Sequence, residues 1–295
     1  MITHGFFGKI PTTGDFIGRG WRSGAREGLD RLLQQAIATL LSSSENGKEA
    51  MLQAPYVMLS IRPGVVGEQG VEVAVLPSQD RVGRVFPLCA GVQWTDDGQG
   101  GMGWPSLDYG RALIGAVQRG VDAGADPDSL LSEIVAVGSP RQFPATFAER
   151  SEDETVPRLP AGSNWLKFQG PQAAIASSTA ALCGLLQGRS DLLGVRFDDR
   201  GEAGEFFACR RYDSGEPLAA LFDGRWAERD WFSLDVPTAP TAPAAAPAAA
   251  APAAAEVAAS AEMSFPAAEI DEDETRPRHR VIDTGKSGPD SPAAS

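Results

Sequence analysis

Histidine is nearly missing from this chain: His4 and His279 leave the whole middle of its 295 residues without an imidazole. Imidazole is the usual general base and a common metal ligand near neutral pH. Most histidine-dependent hydrolases are thereby excluded. Cysteine is also scarce. Cys89, Cys183 and Cys209 lie far apart and form no CxxC pair, so neither a zinc knuckle nor a disulfide framework is encoded. A reducing compartment is expected. Positive charge is in deficit, with 26 Lys and Arg against 39 Asp and Glu for a net charge of −13. Phosphate backbones and anionic membranes attract basic patches, so neither nucleic-acid binding nor membrane docking is expected. No stretch approaches the roughly 18 uninterrupted apolar residues of a membrane span. Nor do residues 1–20 show a cationic run followed by an apolar one, and no secretory leader is expected. The expected location is the cytoplasm.

What is present suffices for a folded core, with 42% hydrophobic residues. At about 100–200 residues per domain, the length allows one large domain or two modest ones. The sharpest break in composition falls at Pro237. From there to Ala255 the chain is 5 Pro, 12 Ala and 2 Thr, without charge or large apolar groups. Proline interrupts helical hydrogen bonding and alanine buries too little area to offset chain entropy, so this stretch reads as an extended linker. Residues 256–295 hold the acidic run Asp271-Glu272-Asp273-Glu274 followed by Arg276, Arg278 and Arg280, and read as a disordered charged tail. The tail accounts for −5 of the charge and residues 1–236 for −8, while residues 1–111 are nearly neutral.

Hydrophobic spacing gives the elements. Arg22 to Leu41 carries apolar residues at steps of three, four and one, which predicts a helix. Tyr56 to Arg62 and Val71 to Leu76 predict a β-hairpin around Gly64 to Gly70, and Val85 to Trp94 a third antiparallel strand, with Pro87 marking an edge or an irregularity. Helices are predicted from Ser106 and from Asp126-Pro127, the second with an acidic N-cap and proline at its first position. The polar stretch from Gln142 to Gly162 reads as a connector. After it come a strand at Asn164 to Phe168, a helix at Ala173 to Leu186, a hairpin of Leu192 to Phe197 with Glu205 to Arg211, and a short helix at Leu218 to Phe222. Trp226 and Trp231 are expected to close the core.

Two segments concentrate unusual residues. The first, Gly5-Phe6-Phe7-Gly8-Lys9-Ile10-Pro11-Thr12-Thr13-Gly14-Asp15-Phe16-Ile17-Gly18-Arg19-Gly20, holds five glycines and three phenylalanines. It is expected to be a compact loop anchored on the sheet by its aromatics. The second, Leu76-Pro77-Ser78-Gln79-Asp80-Arg81-Val82-Gly83-Arg84-Val85-Phe86-Pro87-Leu88, joins two predicted strands. Arg81 and Arg84 are placed to pair with Asp80 or Asp15 and so fix the loops against each other. Another reading of the same residues makes Lys9, Asp15, Arg81 and Arg84 a small anion or nucleotide pocket with backbone amides as donors.

Together these segments resemble the TagF family, also called ImpM, of bacterial type VI secretion system-associated proteins. The family pattern opens with Gly-Phe-aromatic-Gly-Lys-x-Pro-x-x-Gly-Asp-Phe and later carries Pro-Ser-x-Asp-Arg-Val-Gly-Arg-x-Phe-Pro-Leu. The resemblance spans roughly residues 5–168, with a weaker tryptophan echo at Ser163-Asn164-Trp165. It departs after Gly20, where Trp21-Arg22-Ser23-Gly24 stands in place of the family's Leu-Pro step. The resemblance implies an α/β (α+β) fold, an antiparallel sheet packed by helices and longin-like. It also implies a non-enzymatic repressor that binds the forkhead-associated scaffold protein of the secretion system. The residues it marks for interaction or structure are Gly8, Lys9, Pro11, Gly14, Asp15, Phe16, Ser78, Asp80, Arg81, Gly83 and Arg84. The organisation expected is a TagF-like domain over 1–141, a second lobe over 142–236 packed on or continuing the first, a linker over 237–255 and a tail over 256–295.

Other chemistries find less support. Gly8-Lys9 is followed by Ile10, and Gly285-Lys286-Ser287 has Arg280 where a P-loop needs its first glycine, so nucleotide hydrolysis has no residues to carry it. Asp198, Asp199, Glu202 and Glu205 could supply oxygen ligands but match no EF-hand spacing. Thr275 and Thr284 stand in a charged context that a forkhead-associated domain could read if they were phosphorylated. An enzyme would need Asp, Glu or Lys as its base, and no cofactor or metal is expected.

Overall fold

In the computed structural model, residues 1–95, 106–142, 164–170, 190–198 and 203–235 are described. They all belong to one compact unit. Most of the polar connector, the helix expected at Ala173 to Leu186, and the linker and tail lie outside the described residues.

Nine strands form one sheet. They are β1 (Ile2–Gly8), β2 (Ile17–Arg19), β3 (Val57–Ile61), β4 (Gly70–Leu76), β5 (Leu88–Trp94), β6 (Trp165–Gln169), β7 (Leu192–Phe197), β8 (Ala203–Cys209) and β9 (Trp231–Asp235). Their order is β2-β1-β5-β4-β3-β7-β8-β6-β9. Every neighbouring pair is antiparallel except β6 with β9, which run parallel. The β3–β7 pair, with Leu59 opposite Gly194, makes the sheet continuous from the N-terminal strands to the C-terminal ones. The expected mixed architecture, a mostly antiparallel sheet packed by helices, is present.

Helices cover both faces. On one lie α1 (Ser23–Ser43), α2 (Gly47–Leu52) and the single-turn α5 (Ala220–Asp223); on the other lie α3 (Leu107–Asp122) and α4 (Pro127–Val137). Side chains of a strand alternate between faces, and adjacent Phe6 and Phe7 accordingly enter different cores. Phe6 packs with Leu113, Ile114 and Val117 of α3, while Phe7 packs with Leu29, Leu32 and Leu33 of α1. The helical spacing of α1 places those leucines on one buried stripe, each contributing about 1.5–3 kcal/mol by burial. α3 and α4 start where expected, at the side-chain caps Ser106 and Asp126.

Two expectations need correction. The glycine-rich segment is not a loop throughout: Ile2 to Gly8 is a strand paired with β5, and only the stretch from Lys9 to Phe16 loops out before β2 returns antiparallel to β1. Its glycines and adjacent phenylalanines disguise this strand, whose two faces meet different cores. The strand expected over Val85 to Trp94 is shorter, and Pro87 marks the expected irregularity rather than an edge. It precedes β5, a strand inside the sheet, and Val85 makes only an isolated bridge to Gln79. Trp226 and Trp231 are buried in the core as expected, and Trp231 also opens β9, an edge strand that the sequence pattern did not announce.

Candidate functional site

The two motif segments meet at one end of the sheet. β1 ends at Gly8, whose φ of 134° and tight seat against Pro87 suit only glycine; a Cβ there would lie 2.3 Å from the Pro87 carbonyl oxygen. The chain then turns, with the Thr13 amide donating to the Ile10 carbonyl at 3.1 Å. The second segment bridges β4 and β5 through a narrow loop. Phe86 N donates to the Ser78 carbonyl at 3.1 Å, Asp80 N to the Arg84 carbonyl at 3.1 Å, and Gly83 N to the Asp80 carbonyl at 3.0 Å. Gly83 takes a φ of 80°, the left-handed geometry that closes this turn.

Asp80 is the hub. Its Oδ1 accepts from the backbone amides of Val82 at 3.0 Å and Arg84 at 2.9 Å, and its Oδ2 accepts from Arg84 Nε at 2.7 Å. Lys9 reaches across from the first loop, placing Nζ 3.2 Å from Asp80 Oδ2 and 3.2 Å from the Arg84 carbonyl oxygen. Burial by itself would raise the Asp80 carboxyl; the Arg84, Lys9 and Val82 donors outweigh it and hold the group well below the usual carboxylate range. Three further bonds tie the loops. Ser78 Oγ donates to the Lys9 carbonyl at 2.7 Å, Arg81 N donates to the Thr13 carbonyl at 2.8 Å, and the Arg84 guanidinium donates to the Gly14 carbonyl.

Lys9, Gly8, Ser78, Asp80, Gly83 and part of Arg84 are therefore committed to holding the loops together. The expected pairing of Arg84 with Asp80 is present, and Asp15 lies at the outer limit, 4.0 Å from Arg84. Among the described residues no acid pairs with Arg81. Lys9 is buried against Asp80 rather than presented to solvent beside Arg81 and Arg84, so those cations do not converge on a common opening. Pro11 and Asp15 are exposed.

Phe16 and Val82 behave differently. They are 53% and 66% exposed, on loops that are hydrogen-bonded to each other. The Phe16 ring stands edge-on to buried Phe86 at 4.7 Å, with Lys9 Nζ 5.3 Å from its centroid. Beside it a groove of about 340 Å³ is lined by Phe7, Phe16, Ile17, Gly18, Arg26, Glu27 and Asp30. The residues from α1 were missed in the sequence. Their signal was the polar face of the first helical turns, Arg26, Glu27 and Asp30, one turn apart and facing the loop. Trp21, where the sequence departs from the family pattern, is buried; it packs 5.9 Å from Phe7 and donates from Nε1 to the Gly91 carbonyl at 3.2 Å.

A second polar cluster is structural in character. Glu205 of β8 is 2.6 Å from Lys167 of β6 and 2.6 Å from Arg196 of β7, and both cations lie over the Trp226 ring. This engages Glu205, one of the four acids considered for metal ligation. Asp199 and Glu202 lie outside the described residues. Among the described residues no group of three or more His, Cys, Asp or Glu is arranged to hold a metal ion, and no helix is long and apolar enough to cross a membrane. Cys89 and Cys209 are buried, and burial pushes both thiols up, away from nucleophilic use.

Comparison with known proteins adds the following. Residues 5–137 match the family model described as TagF N-terminal domain, Type VI secretion system-associated. The match ends before Trp165, whose buried side chain packs 4.9 Å from Trp231. The crystal structure of PA0076 from Pseudomonas aeruginosa PAO1 aligns at 20% identity over 82% of this chain and 100% of that one, with a TM-score of 0.46. No curated protein matches the chain.

Proposed function

From the match of residues 5–137 to the model of a TagF N-terminal domain, Type VI secretion system-associated, we propose that this is a type VI secretion system-associated protein and a cytoplasmic, post-translational negative regulator of that system. It binds the forkhead-associated scaffold protein and withholds it from the assembling machine. It acts by binding and not by catalysis. One observation supports this reading above others: two large apolar side chains, Phe16 and Val82, are held out in solvent on loops tied together by the ion pairs of buried Asp80 with Lys9 and with the more exposed Arg84. Apolar anchors on a preorganised surface are what a protein interface uses, because little ordering entropy is lost on docking. Arg81 and Arg84 stand beside Val82 in sequence, and arginine is enriched at interface hot spots.

The test is recovery of the scaffold from cells in which the secretion genes are active. Wild-type protein is expected to recover the scaffold. Phe16→Ala and Val82→Asp, both at exposed positions, are expected to recover about tenfold less, as loss of a hot-spot contact implies. The reading fails if the wild type recovers no scaffold.

A further inference from the structure

The groove beside Phe16 is chemically two-sided. One wall is apolar, made of Phe7 and Ile17 of the sheet and Phe16 of the loop before β2, and the helical wall carries Arg26, Glu27 and Asp30. Arg26 leans toward β2: a Cβ added at Gly18 would lie 3.3 Å from its guanidinium. One cation against two carboxylates leaves the groove anionic. Asp30 uses Oδ2 to accept from Gln34 Nε2 at 2.9 Å, while its Oδ1 is shut off from bulk water without a hydrogen-bond partner. Burial raises the Asp30 carboxyl, with Gln34 and Arg26 opposing only in part. That is the signature of a carboxylate short of positive partners. Glu27 is exposed at the rim.

We infer that this groove receives a lysine or arginine side chain from a protein partner, its stem lying along Phe7, Phe16 and Ile17 and its charged head between Glu27 and Asp30. Lys and Arg are the side chains that combine an apolar stem with a cationic tip, which is the pattern the two walls present. An acidic side chain would meet two like charges, and an aliphatic one would leave both carboxylates uncompensated. The volume holds one long side chain with its flanking backbone, near the lower end of ligand pockets. The inference rests on the scaffold reading for the identity of the partner, and on the groove alone for its chemistry.

Two titrations decide it. In the first, isotopically labelled full-length protein is titrated with agmatine, a butyl chain with a guanidinium at one end and an ammonium at the other, and followed by NMR. Saturable shifts are expected at Phe16, Ile17 and Asp30, with an affinity lowered about tenfold in Glu27→Gln/Asp30→Asn, the loss of one charge-assisted contact. Glu27→Gln alone, at an exposed position, keeps the test informative if the double variant melts early. Shifts that do not saturate, or that persist unchanged in both variants, overturn the inference. In the second, the same variants are titrated against purified scaffold. About tenfold weaker binding with a shallower salt dependence is expected. Unchanged scaffold binding by a folded double variant overturns the assignment of the groove to that partner. A wild type that binds no scaffold sinks the reading of function instead, and the agmatine result then decides the groove by itself.

Discussion

Asp80 concentrates more contacts than any other motif residue, and the direction of its carboxyl shift follows from them. Its removal strands Lys9 with a buried ammonium and no carboxylate, whereas removal of Arg84 leaves Asp80 still facing Lys9 and two backbone amides. Asp80→Ala is therefore expected to lower the melting temperature more than Arg84→Ala. Its folded-state carboxyl lies below its unfolded value, so its contribution is present above the ordinary Asp range near 4 and fades as pH falls below it. The gap between wild type and Asp80→Ala should accordingly narrow in acid; equal melting temperatures at neutral pH would refute the hub role. Glu72 on β4 has the opposite sign. Burial, only partly offset by the Ser106 amide, pushes its carboxyl up to about 8 from an ordinary 4.5, and Oε1 has no hydrogen-bond partner. A raised folded value means stability complete below the unfolded value and lost as pH climbs toward 8, at up to about 1.4 kcal/mol per pH unit. Glu72→Gln should flatten this slope and raise the melting temperature at pH 8 relative to wild type. Parallel melting profiles for the two proteins would contradict it.

Among the elements, those with one periodicity and one buried face were legible. α1 read cleanly because Leu29, Leu32, Leu33, Ala36, Ile37 and Leu40 follow helical spacing, and the β3–β4 and β7–β8 hairpins read because β-branched and aromatic runs flank turn residues. β1 did not, since a strand with a core on each side shows no polar alternation and its glycines mimic a loop. β9 was hidden because a parallel edge partner to β6 leaves no local hairpin signal. Of the candidate site, the Arg84–Asp80 pair was legible from residue types, while the Lys9–Asp80 pair was not and Arg81 makes no ion pair among the described residues. The division into buried clamp and exposed Phe16 was not legible either, because it depends on which way each loop turns. The joint between β3 and β7 offers an element-scale test. Phe207 of β8 lies over Gly194 of β7, where an added Cβ would come 2.1 Å from the ring. Gly194→Ala should cost about 1–3 kcal/mol by forcing that ring out of place, measured as a lower denaturation midpoint; an unchanged midpoint would show that the ring shifts freely.

At the scale of the whole molecule, the deficit of histidine and the excess of acid acquire a place. The single described histidine, His4, uses Nε2 to contact the Gly138 carbonyl at 2.8 Å and ties β1 to the end of α4. Much of the acidity falls after residue 111, so the motif loops sit in a nearly neutral part of the sequence. A repressor that works by sequestration must bind in proportion to its target, and repression should rise with the ratio of repressor to scaffold and then saturate. The most direct measurement is calorimetric titration of the full-length protein into purified forkhead-associated scaffold, with the Phe16→Ala/Val82→Asp double variant beside it. Saturable, stoichiometric heat for the wild type, with affinity at least about tenfold weaker for a folded double variant, is the result predicted. No heat from the wild type, or equal binding by both proteins, would contradict it.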